Sequence, residues 1–502
     1  MPLISRLRRR WFITLDMALH ALLPSFVADA LWPDHKSPLA THKLHPTSYL
    51  DGLRGLAAMI VFCCHYTEEN HQYLVPSYGF NVDGVSSFLQ LPFFRILYSG
   101  RPMVHIFFVI SGFVLSYKPL KAIRARELEK CYTALASSTF RRPIRLFGPC
   151  LVSTAMIGVL IQAGFMYKPL KYNSTQFWAW IDAAFHSITW PWAWDFDLRP
   201  AFDIHLWSIP IEFVHSYMLF LTLLMLSRLR PQARTVTMVL LWAYVVACGK
   251  WAAMEFYAGM ILADFHIKRT VEARTAPKQY EFYDPAASTS ASPGTLRPYI
   301  ENQALHYGVH IGLLLFALYT EGWPNFNAPK TPIISWLYTH TPSSFPPVDN
   351  LTPQKFWFAI QAIIMVWTCG ELHFIKRFLE GPIPQYCGHL SFAVYIVHGP
   401  VLEILQKRVA GTLYQAPMAA PGLPGYRPEV LPGGVKGFVG VETATQRTLA
   451  WALGLAILGP IVIWVADVFW RLVDIPMIKL ARTIEMKVVD SEIDLGRTQQ
   501  GH

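Results

Sequence analysis

Residues 49–66 read YLDGLRGLAAMIVFCCHY, a stretch apolar enough to cross a bilayer that nevertheless carries Arg54 and His65. Eleven positions separate the two, so at 100° per residue they return to within about 20° of one helix face, about 16 Å apart along the axis. Ionisable groups inside a span are costly and face a protein interior where they have a partner or a task. In the plain reading, Arg54 snorkels or pairs with Asp51 and His65 sits at the outer interface. In the functional reading, the arginine holds an anionic group and the histidine acts as a base near neutral pH.

The surrounding chain favours a membrane protein throughout. It has 502 residues, 53% hydrophobic and only 15% charged, too apolar for an ordinary soluble domain. The net charge of +10 comes from basic residues lying between hydrophobic runs, where topology places them, so nucleic acid is excluded as a partner. The seven cysteines form no CxxC pair, and neither a metal site nor a disulfide framework is implied.

Ten apolar runs qualify as spans, near 48–66, 103–118, 146–165, 204–227, 235–249, 251–267, 304–320, 354–372, 386–406 and 449–470. The expected fold is therefore an all-α integral membrane protein of about ten transmembrane helices, multi-pass in an endomembrane or the plasma membrane. With the N-terminus inside, inner segments hold 29 Lys and Arg and outer segments 12, which predicts N-in, C-in topology. The N-x-S/T sequons at Asn173 and Asn350 fall in outer loops and are expected glycosylation sites. Residues 1–46, beginning with the basic RLRRR, read as a cytosolic or interfacial segment, 47–480 as the transmembrane domain and 481–502 as a cytosolic tail. The stretches 268–299 and 409–440, rich in Pro, Gly, Ala and Ser, read as poorly structured connections. Trp178, Trp180, Trp190, Trp192 and Trp194 crowd one outer loop, as an interfacial aromatic belt or as a wall for an acceptor.

Several spans repeat the anomaly of the first. The second holds Ser111-Gly112 in an apolar run; small residues permit close helix packing, and Ser111 is also a candidate for lining a ligand tunnel. Arg141, Arg142 and Arg145 precede the third span, where topology expects basic residues and where guanidinium forks would also receive phosphates. The fourth puts His205, Ser208, Glu212 and Ser216 on one face, and the ninth does so with Ser391, Tyr395 and His398. No Walker loop, Rossmann fingerprint, HExxH or G-x-S-x-G motif occurs, which removes support from phosphoryl transfer, nicotinamide chemistry and the common hydrolases.

Five blocks in order resemble the membrane-bound acyltransferase type 3 family, fungal members in particular: LDGLRGLAAMIVFCCH (50–65), FFVISGFVLS (107–116), RRPIR (141–145), LWSIPIEF (206–213) and LSFAVYIVHGP (390–400). The resemblance implies transfer of an acyl group, commonly acetyl, from acyl-coenzyme A as co-substrate to a hydroxyl of a small natural product, glycan or lipid, with no bound cofactor. It makes Arg54 and His65 the essential pair and adds Glu212 as a catalytic candidate. Arg141, Arg142, Arg145 and Ser111 would meet the coenzyme, and Trp207, Ser208 and His398 the acceptor. A serine-esterase-like fused domain, present in some bacterial relatives, is not recognisable here. Two other classes remain open: a proton-coupled transporter of an anionic solute, and an enzyme-like remnant that only binds the donor.

Overall fold

The computed structural model describes residues 21–32, 44–166, 177–275, 293–346, 352–409 and 435–489. The architecture is helical, with one isolated bridge between Pro76 and Phe326. The principal helices in chain order are α1 (Ser48–Asn70), α2 (Gly100–Arg124), α3 (Leu128–Gln162), α4 (Ser208–Leu226), α5 (Pro231–Ala247), α6 (Trp251–Thr275), α7 (Pro293–Glu321), α8 (Thr352–Glu371), α9 (Pro382–Val409), α10 (Ala444–Phe469) and α11 (Ile475–Val488). Each of the ten apolar runs falls on one of α1 to α10.

Five of the described helical segments are long and apolar enough to cross a membrane: Gly100–Arg124, Leu128–Gln162, Ile204–Leu226, Pro382–Leu405 and Ala444–Val488. A sixth results if α8 and the helix His373–Leu379, bent by 96° at their junction, count as one span. Among those outside the set, α5 has only 17 residues, and α6 carries the buried carboxylates Glu255 and Asp264. Buried ionisable groups thus lower the apparent hydropathy of helices that lie inside the protein.

Three differences from the expected elements have physical causes. Helix α3 begins 18 residues before the third predicted run, so Arg141, Arg142 and Arg145 sit on a helix shaft rather than in a connection. Proline at 143 cannot donate to the carbonyl of Thr139, and the Tyr217 hydroxyl of α4 donates to it instead at 2.8 Å. The segment expected to be a loose connection at 268–299 is helical at both ends, through Thr275 and from Pro293. Between α10 and α11 the chain passes through a π turn at Trp470–Asp474 rather than leaving the helix, and α11 runs past residue 480. Asn173 and Asn350, most of residues 1–46 and most of 409–440 lie outside the described residues.

Two helix pairs pack closely enough to exclude any side chain. A Cβ on Gly112 of α2 would lie 2.3 Å from Phe256 O, and one on Gly259 of α6 only 2.2 Å from Val109 O. Likewise a Cβ on Gly55 of α1 would lie 2.2 Å from Gly388 N, and one on Gly388 of α9 2.4 Å from Asp51 O. Small residues at such crossings let backbones touch and hold helices at fixed rotation. Rotation decides which way the polar faces of α1, α2 and α9 point, and here they converge.

Candidate functional site

The converging faces enclose a cavity of about 320 Å³. Arg54 comes from α1, Ser111 from α2, Arg142 and Arg145 from α3, Ser208 and Glu212 from α4, and Ser391 and Tyr395 from α9. Phe107, Phe108 and Trp470 supply apolar wall, and Asp474 closes one side from the π turn. Ser111 faces this cavity while the adjacent Gly112 forms the α2–α6 crossing, so the dipeptide serves both packing and lining.

The arginines are not equivalent. Arg142 pairs with the Glu212 carboxylate and donates from Nε to Ser216 Oγ at 3.0 Å. Arg54 Nη2 lies 3.2 Å from Asp51 Oδ1 and 3.4 Å from Gly388 O, with its Nε buried and unpartnered. Arg145 lines the cavity. Arg141 points elsewhere, 3.3 Å from Glu485 on α11, and is not part of the lining. Three guanidiniums thus face the cavity against two lining carboxylates, Glu212 paired with Arg142 and Asp474 from the π turn, while Arg54 also meets Asp51, so the lining keeps a modest positive excess that suits an anionic group.

The cavity ends against a pair of hydroxyls. Ser208 Oγ and Tyr395 Oη are 2.7 Å apart, and the Tyr395 hydroxyl donates to the backbone carbonyl of His205. His205 in turn belongs to a cluster of three histidines drawn from three elements. The ring centroids of His65 and His205 are 4.3 Å apart, those of His65 and His398 5.1 Å, and those of His205 and His398 4.8 Å. His205 Nδ1 lies 2.9 Å from Asp203 Oδ1. His398 Nδ1 donates to Val394 O at 3.0 Å, leaving its Nε2 buried without a partner. His205 also seats against Gly399, where a Cβ would come within 2.3 Å of its Nδ1.

Chemically, the cluster brings ring nitrogens within 4.8 Å of one another. Two hydrogen bonds of about 2.8 Å to a shared oxygen span a gap of that size, so a hydroxyl between the rings fits. The same three imidazoles, each offering one nitrogen, also form a group that could hold a metal ion. His306, His310 and Glu371 form a second trio of potential ligands elsewhere.

The sequence-derived candidates therefore divide into groups. Arg54, Ser111, Arg142, Arg145, Ser208 and Glu212 share the cavity; His65 and His398 meet in the cluster; Trp207 is partly buried in the core beside them. Sequence reasoning placed His205 on the polar face of the fourth span but did not single it out, and it missed Asp203 in the cluster and His389 and Asp474, which line the cavity. The D-x-H spacing of Asp203 and His205 was the available signal for the first; nothing in the RLVDIP stretch marks Asp474.

The family model described as "Acyltransferase domain" matches residues 47–471. Over 392 residues the chain is 29% identical to "O-acetyltransferase PaAT-1" of Phomopsis amygdali, covering 72% of this chain and 73% of that protein. It is 25% identical over 403 residues to "Acyltransferase R4" of a Phoma species, covering 70% of this chain and 82% of the relative. It is 24% identical over 405 residues to "Acyltransferase clz18" of Cochliobolus lunatus, again 70% and 82%. No solved structure matches the chain.

Proposed function

Because the chain belongs to the acyltransferase 3 family, we propose that it is a membrane-bound O-acyltransferase that moves an acyl group, acetyl in the simplest case, from acyl-coenzyme A to a hydroxyl of a small natural product, glycan or lipid. The observation that carries this reading is the join between the arginine-bearing cavity and the histidine cluster at Ser208 and Tyr395. One relative's name, O-acetyltransferase, supports acetyl as the group moved.

In this reading the coenzyme phosphates lie against Arg54, Arg142 and Arg145, with Ser111 along the arm. The thioester then reaches the hydroxyl pair at the inner end. His65 takes the proton of the acceptor hydroxyl as its oxygen attacks the thioester carbonyl. Glu212 acts by holding Arg142 in the chamber. Acceptor contacts fall to Trp207, Ser208 and His398. The protein crosses the bilayer about ten times with both termini in the cytosol, so that Arg54 faces the donor side and His65 the far side. Glycosylation of Asn173 and Asn350 would follow from that orientation, and an endoglycosidase-sensitive mobility shift, abolished by Asn173→Gln with Asn350→Gln, checks it.

The deciding experiment uses purified protein in liposomes with acetyl-coenzyme A and metabolite extracts from cells lacking the protein. Release of free coenzyme A with appearance of an acylated metabolite supports the reading. Uptake of an anionic solute without acyl transfer overturns it in favour of a proton-coupled transporter.

A further inference from the structure

His65 contacts the rings of His205 and His398 rather than a carboxylate. A buried base that takes a proton becomes a cation in a low-dielectric setting, and such a charge needs a counter-ion. The carboxylate in hydrogen-bond contact with this cluster is Asp203, through His205, while Glu68 and Glu69 act on His205 and Arg101 on His65 from further off. Asp203 is 5% exposed, and its Oδ2 is buried with no hydrogen-bond partner.

Asp203 also accepts from the backbone N–H of His205 at 3.0 Å, capping the short helix Ile204–Trp207. Capping explains that bond. It does not explain why the same oxygen meets the His205 ring at 2.9 Å, nor why the other oxygen is buried bare. With Nδ1–H committed to Asp203, the free Nε2 of His205 is a proton acceptor backed by negative charge, the arrangement used wherever an imidazole must carry a proton during acyl transfer. His398 is held as the same tautomer by Val394 O but has only a neutral carbonyl behind it.

We propose that His205, oriented by Asp203, is the second proton carrier of the site, receiving the proton from His65 and delivering it to the departing sulfur. This rests on the acyl-transfer reading. The acceptor O–H bond breaks and its proton goes to His65, while the oxygen's electron pair forms the new C–O bond at the thioester carbonyl. The C–S bond breaks with its pair leaving on sulfur. The proton passes from His65 to Nε2 of His205, whose rings are 4.3 Å apart at their centroids, where Asp203 offsets the charge. His205 then protonates the thiolate, giving ester and free thiol, with both imidazoles neutral again. Asp203 is a positioning residue in this scheme.

The test follows release of free coenzyme A from acetyl- and longer-chain acyl-coenzyme A, with metabolite extract from cells lacking the protein as the acceptor, across pH, for full-length wild-type protein in nanodiscs and for Asp203→Asn, Asp203→Glu and His65→Ala. Asp203→Asn preserves shape and the cap, and is expected to lose roughly 10²- to 10⁴-fold at neutral pH. The acidic limb of its rate profile should move to lower pH, because the imidazole no longer gains from a neighbouring negative charge. Asp203→Glu should recover part of the rate. A near-normal Asp203→Asn rate, or a reduced rate with the acidic limb unmoved, overturns the proposal while leaving acyl transfer standing. A wild-type protein that releases no coenzyme A from any of these donors in the presence of the extract overturns both.

Discussion

The guanidinium of Arg142 on α3 pairs with the carboxylate of Glu212 on α4, and the Ser216 hydroxyl one turn further on accepts from Arg142 Nε while donating to Glu212 O at 2.6 Å. Both charged side chains are largely buried, 14% and 11% exposed. The two polar faces read from the sequence are therefore one interlocked unit.

Removing one member of a buried pair leaves the other charge without compensation. Glu212→Ala should destabilise the protein by about 3–5 kcal/mol, seen as a lower melting temperature in detergent. Glu212→Gln, which keeps a hydrogen-bond acceptor, should lose less. A Glu212→Ala protein that melts with the wild type would show that the pair is not holding α3 to α4.

Arg145 and Arg141 are four residues apart and predict opposite results. Arg145 lines the cavity, and losing a charge-assisted hydrogen bond there costs about 1.5–3 kcal/mol, so Arg145→Ala should raise KM for acyl-coenzyme A roughly 10- to 100-fold with a smaller change in kcat. Arg141 lies on Glu485, away from the cavity, and Arg141→Ala should leave KM unchanged. Equal KM effects from both would remove the cavity as the donor site.

His65→Ala should lower turnover by roughly 10²- to 10⁴-fold with the protein expressed and folded normally. His398→Ala, which empties the position facing His65 at 5.1 Å, should also impair transfer. Turnover close to normal in His65→Ala would withdraw the base assignment.

Stability should fall with acid through His71, at the C-terminal end of α1. Its ring is buried, with Nδ1 2.6 Å from the Tyr73 hydroxyl and Nε2 2.7 Å from the Tyr66 hydroxyl. The Tyr66 hydroxyl donates to Trp451 O at 3.1 Å, so Nε2 donates to Tyr66 and Nδ1 of the neutral ring accepts from Tyr73, and burial favours that neutral form. Burial first, and Lys436 second, keep its pKa well below the ordinary 6.5. The unfolded chain then binds a proton that the folded protein refuses. Stability is full above about pH 6.5 and declines as pH falls below it, until the folded value is reached. Melting temperatures between pH 7.5 and 5 check this, and His71→Gln should flatten the slope.

How much of this was legible in the sequence depends on distance along the chain. Arg54 and His65 share a helix, and helical periodicity alone puts them on one face. Long apolar runs with little charge located ten helices, even where Pro149, Pro210, Pro400 and Pro460 interrupt them, since a segment that cannot bury its backbone otherwise must satisfy it internally. Arg141 and Arg145 were indistinguishable as part of one basic cluster. Only the rotation of α3 against α4 and α11 separates the one on Glu485 from the one in the cavity. The start of α3 was also hidden, because Pro143 signals a helix break unless a hydroxyl from another helix, here Tyr217, takes over the orphaned carbonyl of Thr139.

The sequence by itself determined which helices carry polar faces and which residues on them bear charge, because those properties are local and periodic. The tertiary structure alone decided that His65, His205 and His398 meet and that Asp203 backs the middle one. These residues come from segments as much as 333 positions apart, brought together by glycine crossings such as Gly55 against Gly388, whose effect is a backbone contact and leaves no periodic trace in the chain.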